Sequence, residues 1–146
     1  MTSGKFGAAI LALTLVWTTQ ALAAPPKPMS LDDSASFLID APTAEKIWRE
    51  STPARVAKLY PRGKFRFVSE ITGGFTESKT CVVTARAMLL PVVRLPVQGT
   101  KVVYAPIKSA TAFDAVPSLS REQCQGVARA KLKEAIQSLS ASLAAS

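Results

Sequence analysis

The 146-residue chain has no histidine and no asparagine, only two cysteines, and 7% aromatic residues. Without histidine, the Ser–His and Cys–His pairs that activate a nucleophile cannot be built. Transition metals lose their commonest ligand, and a bridge between the two cysteines would remove the remaining thiolates. The one glycine pair, Gly73–Gly74 in "TGG", is followed by no lysine at the distance a phosphate loop needs. No cofactor or metal is expected. The absence of asparagine removes every N-x-[ST] acceptor, as suits a bacterial chain.

One enzymatic route survives these absences, because two carboxylates alone can run glycoside hydrolysis. Glu70, Glu77 and Asp114 are the acidic residues that fall on or near the expected strands. With 10 acidic against 18 basic residues, most carboxylates read as solvated surface charge, and no pair is singled out. A non-enzymatic protein is the expectation.

Three features order the N-terminus. A start with one cation (Lys5) precedes the apolar run "FGAAILALTLVW" (Phe6 to Trp17), and "TTQ" then leads to "ALA" (Ala21 to Ala23). That sequence of charge, apolar core and small-x-small site describes a secretory signal peptide over 1–23, cleaved near Ala23. The uninterrupted apolar stretch falls short of the roughly 20 residues of a spanning helix, so the mature chain is expected to be periplasmic or secreted. "APPKP" (Ala24 to Pro28) follows, proline-rich and therefore extended. We read 24–40 as an extended leader and 41–146 as one domain, with no internal repeat and no second shift in composition.

In an exported chain, two cysteines read as one disulfide, Cys81–Cys124. The neighbouring patterns agree. In "SKTCVVTARAMLL" (78–90), Cys81, Val83, Ala85, Ala87 and Leu89 alternate onto one strand face, and Thr80, Val82, Thr84, Arg86 and Met88 onto the other. In "SLSREQCQGVARAKLKEAIQSLSASL", Ser120 and Gln123 form a capping box, and Leu119 and Cys124 occupy the staple positions around it. Cys124, Val127, Ala128, Leu132, Ala135, Ile136, Leu139 and Leu143 then make one apolar stripe. A strand cysteine and a helix cysteine, both facing the core, would pin the helix to the sheet.

The remaining elements are shorter. "TAEKIWRE" and "TPARVAKLY" read as helical, with Thr52 and Pro53 as an N-cap and N1 pair, giving either two short helices or one kinked one. "GKFRFVSEI" alternates as a strand, and Gly73–Gly74 suggests a turn or bulge. "PVVRLPV-QG-TKVVYAPI" reads as a hairpin around Gln98 and Gly99, with Pro91, Pro96 and Pro106 confining it to edge strands. "KSATAFDAVPS" reads as a loop before the last helix. The expected fold is α+β: a small antiparallel sheet of three to four strands with flanking helices in αβββα order, stapled by one strand-to-helix disulfide.

"SKTC" opening a strand and "CQGVARAKL" opening the last helix resemble the C-terminal periplasmic domain of TolA, over about a fifth of the mature chain. This sequence departs from that family in the longer gap between its cysteines, filled by the proline-containing hairpin, and in lacking its anchor and long helical stalk. The resemblance implies a periplasmic module that binds protein partners along a sheet edge or helix face.

The formal charge of +8 points to an anionic partner. Export makes lipid, lipopolysaccharide, cell-wall polymer or an acidic protein more accessible than nucleic acid, and there is little of the aromatic interleaving that stacks on bases. The densest cations are Arg55, Lys58, Arg62, Lys64 and Arg66, and then Arg129, Lys131 and Lys133 on the last helix; an ordinary solvated face is the plainer reading of both groups. Two non-enzymatic classes follow. One is an interaction module, an accessory component of an envelope, secretion or conjugation system that binds another envelope or exported protein. The other is an immunity or inhibitor protein that neutralises an effector. A basic binder of an anionic lipid or polysaccharide is the third reading.

Overall fold

The computed structural model describes residues 28–95, 99–102 and 105–146. The signal peptide expected over 1–23, residues 24–27, Pro96 and Gln98 lie outside the described residues. The element order is β1 (Ser30–Asp32), α1 (Ala41–Ser51), α2 (Ala54–Leu59), β2 (Phe65–Phe75), β3 (Thr80–Leu95), β4 (Gly99–Val102), β5 (Lys108–Pro117) and α3 (Arg121–Ala144). Helices and sheet meet in the α+β arrangement expected from the sequence.

β3 is the spine. β2 pairs antiparallel along one of its edges, with Phe65 opposite Pro91 and Phe75 opposite Cys81. β5 pairs antiparallel along the other, from Leu89↔Lys108 to Thr80↔Pro117. β1 adds to β2 in parallel, so the sheet is mixed and not wholly antiparallel. β4 folds back on the end of β3, Val92 opposite Val102 and Leu95 opposite Gly99. That is the expected hairpin, with Gly99 inside a strand.

Pro91 does not divide β3 in two. Val92 N–H donates to Lys64 O in the β2 ladder, so even-numbered β3 residues face β2 and Pro91 faces the opposite edge. There it falls between Leu89, the last residue paired with β5, and Val92, the first paired with β4. A residue with no N–H is tolerated at such a gap.

The faces of β3 separate as the alternation predicts. Cys81, Val83, Ala85, Ala87 and Leu89 are completely buried, together with Phe67 and Ile71 of β2. α3 lies on this face and supplies Cys124, Ala128, Leu132, Ala135, Ile136, Leu139 and Leu143, with Val127 packed at the margin. Small residues let the helix approach the sheet: Ala85 pairs with Ala112 and Ala87 with Ala110 directly below it. The Cys81–Cys124 disulfide joins β3 to α3 across a Cα separation of 5.8 Å. The capping box forms as read, Gln123 N–H donating to Ser120 Oγ and Ser120 N–H to Gln123 Oε1. Val68, Met88 and Leu90 form a smaller cluster on the opposite face.

Four expectations need correction. The domain starts before residue 41: Met29, Leu38 and Ile39 are in the core, and Ser30–Asp32 is a strand. Only the first part of the stretch 24–40 could act as a leader, because an apolar "FLI" next to a helix start is buried more favourably than solvated. Thr52 is the C-cap of α1 and Pro53 the N-cap of α2; a proline disfavours helical conformation in the residue before it, which ends α1 there. Gly73–Gly74 is not a turn but lies inside β2, paired with Val83 and Val82. Gly73 has φ of 132°, and a Cβ there would overlap the Val82 carbonyl. The turn falls instead at Thr76–Lys79, where Lys79 takes a φ of 57°. Finally, "KSATAFDAVP" is a ten-residue strand, β5, and not a loop.

Candidate functional site

A β-sheet has two edges, and each presents a row of unpaired N–H and C=O groups. In this molecule the two edges are treated differently.

The β1 edge is short and covered. Glu45 on α1 accepts hydrogen bonds from Met29 N–H (2.7 Å), Ser30 N–H (2.9 Å) and the Ser30 hydroxyl (2.9 Å). Arg49, one turn on, donates to the same carboxylate at 2.8 Å. Partial burial would raise the Glu45 pKa, but these four donors outweigh it and hold the carboxyl below its ordinary value. Asp32 completes the corner, accepting from the Ser34 and Ser69 hydroxyls.

The β5 edge is open. Ser118 N–H donates to Lys79 O in register with the β3–β5 ladder, so even-numbered β5 residues bond to β3. The odd-numbered ones, Ser109, Thr111, Phe113, Ala115 and Pro117, turn their backbone groups outward. Two of these are blocked. Ala115 N–H is taken by Asp114 Oδ1 at 2.9 Å, and Pro117 has no N–H. Ser109, Thr111 and Phe113 remain, and among the described residues no strand pairs with β5 on that outer side. This stretch, "SATAF", carries no charge. Phe113 is 60% exposed, the most exposed large apolar side chain in the described residues. Its ring stands on the face away from α3, near Thr84.

Charges bracket the open stretch. Lys108 Nζ donates to Ser142 O of α3 (3.0 Å) and to Ser146 Oγ just past the end of that helix (2.9 Å). Asp114 lies 3.5 Å from Lys131 Nζ, which also bonds Glu134 at 2.8 Å. The Glu134 bond, with Asp114 adding to it, raises the Lys131 pKa against a smaller effect of desolvation.

The basic residues singled out from the sequence do not form two patches. Arg129 and Lys133 point toward α1 and, with Thr43, Lys46, Ile47, Glu50, Ser51 and Ala130, line a cleft of about 290 Å³. Lys131, two residues from each, lies on the β5 side of α3, since alternate helix residues point about 200° apart. Arg62 and Arg66 line a hollow of about 270 Å³ with Pro28, Ser30, Leu31 and Gly63, and Arg66 donates to Arg62 O at 2.8 Å. Arg55 and Lys58 are exposed on α2, and Lys64 is exposed in the turn before β2.

The three carboxylates are not brought together. Glu70 pairs with Arg86 at 3.9 Å on the face away from the helices, Asp114 meets Lys131 on the helix face, and Glu77 is exposed in the β2–β3 turn. Among the described residues no group of three or more His, Cys, Asp or Glu side chains could hold a metal, and no helix is long and apolar enough to cross a membrane.

Fold and edges define a small α+β domain with a disulfide-anchored helix over one face of a mixed sheet and one sheet edge left open. No protein-family model matches the chain, and no curated protein or solved structure matches it.

The open edge is not legible in the sequence, where "KSATAFDAVPS" reads as a loop. Six of the ten β5 residues, a lysine, three alanines, an aspartate and a proline, are of types depleted in strands, against only Thr111, Phe113 and Val116 of favoured types. The trace that could have found it is the alternation of Ala110, Ala112 and Val116 with Ser109, Thr111 and Phe113.

Proposed function

We propose that this protein is an exported, non-enzymatic interaction module that engages a protein partner by strand addition at β5. The observation that carries this reading is the contrast between the two edges: Glu45 takes the Met29 and Ser30 N–H groups at the β1 edge, whereas the outer side of Ser109–Phe113 of β5 is uncharged, ends in an exposed phenylalanine and, among the described residues, has no neighbouring strand. Long uncovered edges risk aggregation, so most are blunted by charge, proline or cover. Here such devices stand only at the two ends, Lys108 on one side and Asp114 and Pro117 on the other. An edge left open between blocked ends supports binding, with main-chain bonds supplying affinity and Phe113 supplying selectivity. The signal-like N-terminus and the resemblance to the TolA C-terminal domain support an envelope partner, as an accessory component of an envelope, secretion or conjugation system. An effector neutralised by this chain as its immunity protein would use the same edge.

A photo-crosslinking amino acid in place of Phe113, in the chain expressed with its N-terminal segment, tests this in the cell envelope. Discrete protein adducts are expected from position 113 and not from the exposed helix position Gln137. A chain that yields no protein adduct at 113 would overturn the reading.

The α1–α3 cleft favours a second reading, an anionic envelope polymer. Lys46, Arg129 and Lys133 surround its apolar floor of Ile47 and Ala130, with Glu50 the only carboxylate. Binding through exposed cations weakens once the Debye length shrinks to about 8 Å at physiological ionic strength. Retention on anionic lipid or polysaccharide that survives salt raised to about 1 M, where the Debye length is about 3 Å, would count against the cleft.

A further inference from the structure

The free groups on β5 do not merely permit a strand; they are arranged symmetrically about Thr111. The outward-facing residues with an available N–H are Ser109, Thr111 and Phe113. An antiparallel neighbour in which these three residues pair only with one another places Thr111 opposite Thr111, with Ser109 opposite Phe113. In that register Lys108 of one strand falls opposite Asp114 of the other, because each is three residues from Thr111. The ladder then stops where the chain blocks it, at Ala115, whose N–H Asp114 already holds. We propose that the occupant of the β5 edge is a second copy of this chain, joined by a two-fold axis through Thr111. This rests on the strand-addition reading of the edge and adds the identity of the strand.

Each paired residue contributes two backbone bonds in an antiparallel ladder, so three pairs give six. The sheet becomes β1-β2-β3-β5 continued into the same four strands of the partner in reverse order. The charges have capacity for both sets of contacts. Lys108 has three donors and uses two, on Ser142 and Ser146, leaving one for Asp114 of the other copy. Asp114 bonds Ala115 through Oδ1 and approaches Lys131 through Oδ2, and each carboxylate oxygen accepts more than one bond. Other registers forfeit this. A shift of two residues moves both Lys108–Asp114 pairs out of alignment, and in one direction it sets Ala115, whose N–H is already held, opposite Ser109, whose carbonyl then lacks its donor.

The helices allow the approach. α3 lies over β3 and β5, and Lys131 and Ser142 are the residues of α3 that bond to β5. Glu134, bonded to Lys131 and exposed, Ser138 and Ala141 follow at helical spacing on that same side. Two copies of α3 would meet at the small side chains of Ser138 and Ala141, flanked by the internally paired Lys131 and Glu134, where packed helix axes lie about 8–10 Å apart. On the other face, Phe113 would lie over Ser109 of the partner and lose part of its exposure.

Sedimentation velocity on the purified, disulfide-intact chain, from micromolar to near-millimolar concentration, tests this directly. A reversible monomer–dimer equilibrium is expected. Thr111→Pro should abolish it, because that N–H faces outward and its loss leaves the β3–β5 ladder intact; circular dichroism and the retained bridge verify the fold. Thr111→Cys supplies the register. Opposed residues of a bonded antiparallel pair have Cα atoms about 5.5 Å apart, within the range of a disulfide, so mild oxidation should give a covalent dimer. Ser109→Cys should not crosslink to itself, but should link to Phe113→Cys when the two variants are mixed. A chain that stays monomeric throughout, or whose dimer persists in Thr111→Pro, overturns the proposal. Protein adducts at position 113 from a chain that remains monomeric would remove the second copy and keep the edge as the site of a different protein.

Discussion

Cys81 and Cys124 show how much a single pair of side chains settles here. Each is completely or almost completely buried, and each belongs to a different layer, so the bridge fixes where the start of α3 sits on the middle of the sheet. It closes a loop across a sequence separation of 43, and the chain-entropy argument assigns such a loop about 4 kcal/mol. The double variant Cys81→Ala/Cys124→Ala should lower the unfolding free energy by that order, read as a fall in the urea midpoint with β3 and α3 retained. The pair was legible in the sequence because both patterns were strong: strict alternation around Cys81, and a capping box with staple positions before a three-to-four-residue stripe at Cys124. Arg129, Lys131 and Lys133 make the opposite case. They look like one basic cluster in the sequence, yet helical geometry sends the middle one to β5 and the outer two to α1.

Between elements, Glu45 is the connection on which the N-terminal strand depends. A helix carboxylate here does the work of a neighbouring strand, accepting the N–H groups of Met29 and Ser30. Its folded pKa is lowered, so the stabilisation is fully present above the ordinary glutamate value and is lost as pH falls through the lowered one. Below about pH 4, β1 should detach from α1 before the rest of the sheet opens. Hydrogen exchange of the Met29 and Ser30 amides checks this: their protection should fall with acid in the unmodified chain. In Glu45→Gln the protection should be weaker at neutral pH and nearly independent of pH. Neither β1 nor its cap could be read from the sequence. Three residues are too few for a periodic signal, and Glu45 lies 16 residues from Met29, a pairing that only the parallel return of β1 beside β2 creates.

For the whole molecule, the domain is larger at its N-terminus than the sequence suggests. Leu38 and Ile39 are 1% and 5% exposed. Burying two such side chains contributes about 3–6 kcal/mol, a large share of the net stability of about 5–15 kcal/mol typical of a domain. A chain beginning at Ala41 should therefore fail to fold cooperatively, whereas one beginning at Pro28 should keep a sharp two-state transition in urea. Denaturation of the two, followed by circular dichroism, distinguishes the boundaries.

Local order was written plainly along the chain: the capped final helix, the alternation of β2 and β3, the hairpin at the end of β3 and the pairing of the only two cysteines. Each of these depends on residues a few positions apart, where periodicity and capping act. Which strands lie at the edges, which edge is closed, and that an alanine-rich stretch would serve as a strand were decided only on folding. Those outcomes depend on partners far apart in the chain. Ala110 and Ala112 lie in a strand because α3 needs small residues beneath it, and Ser109, Thr111 and Phe113 are left open because nothing in the described fold comes to lie beside them.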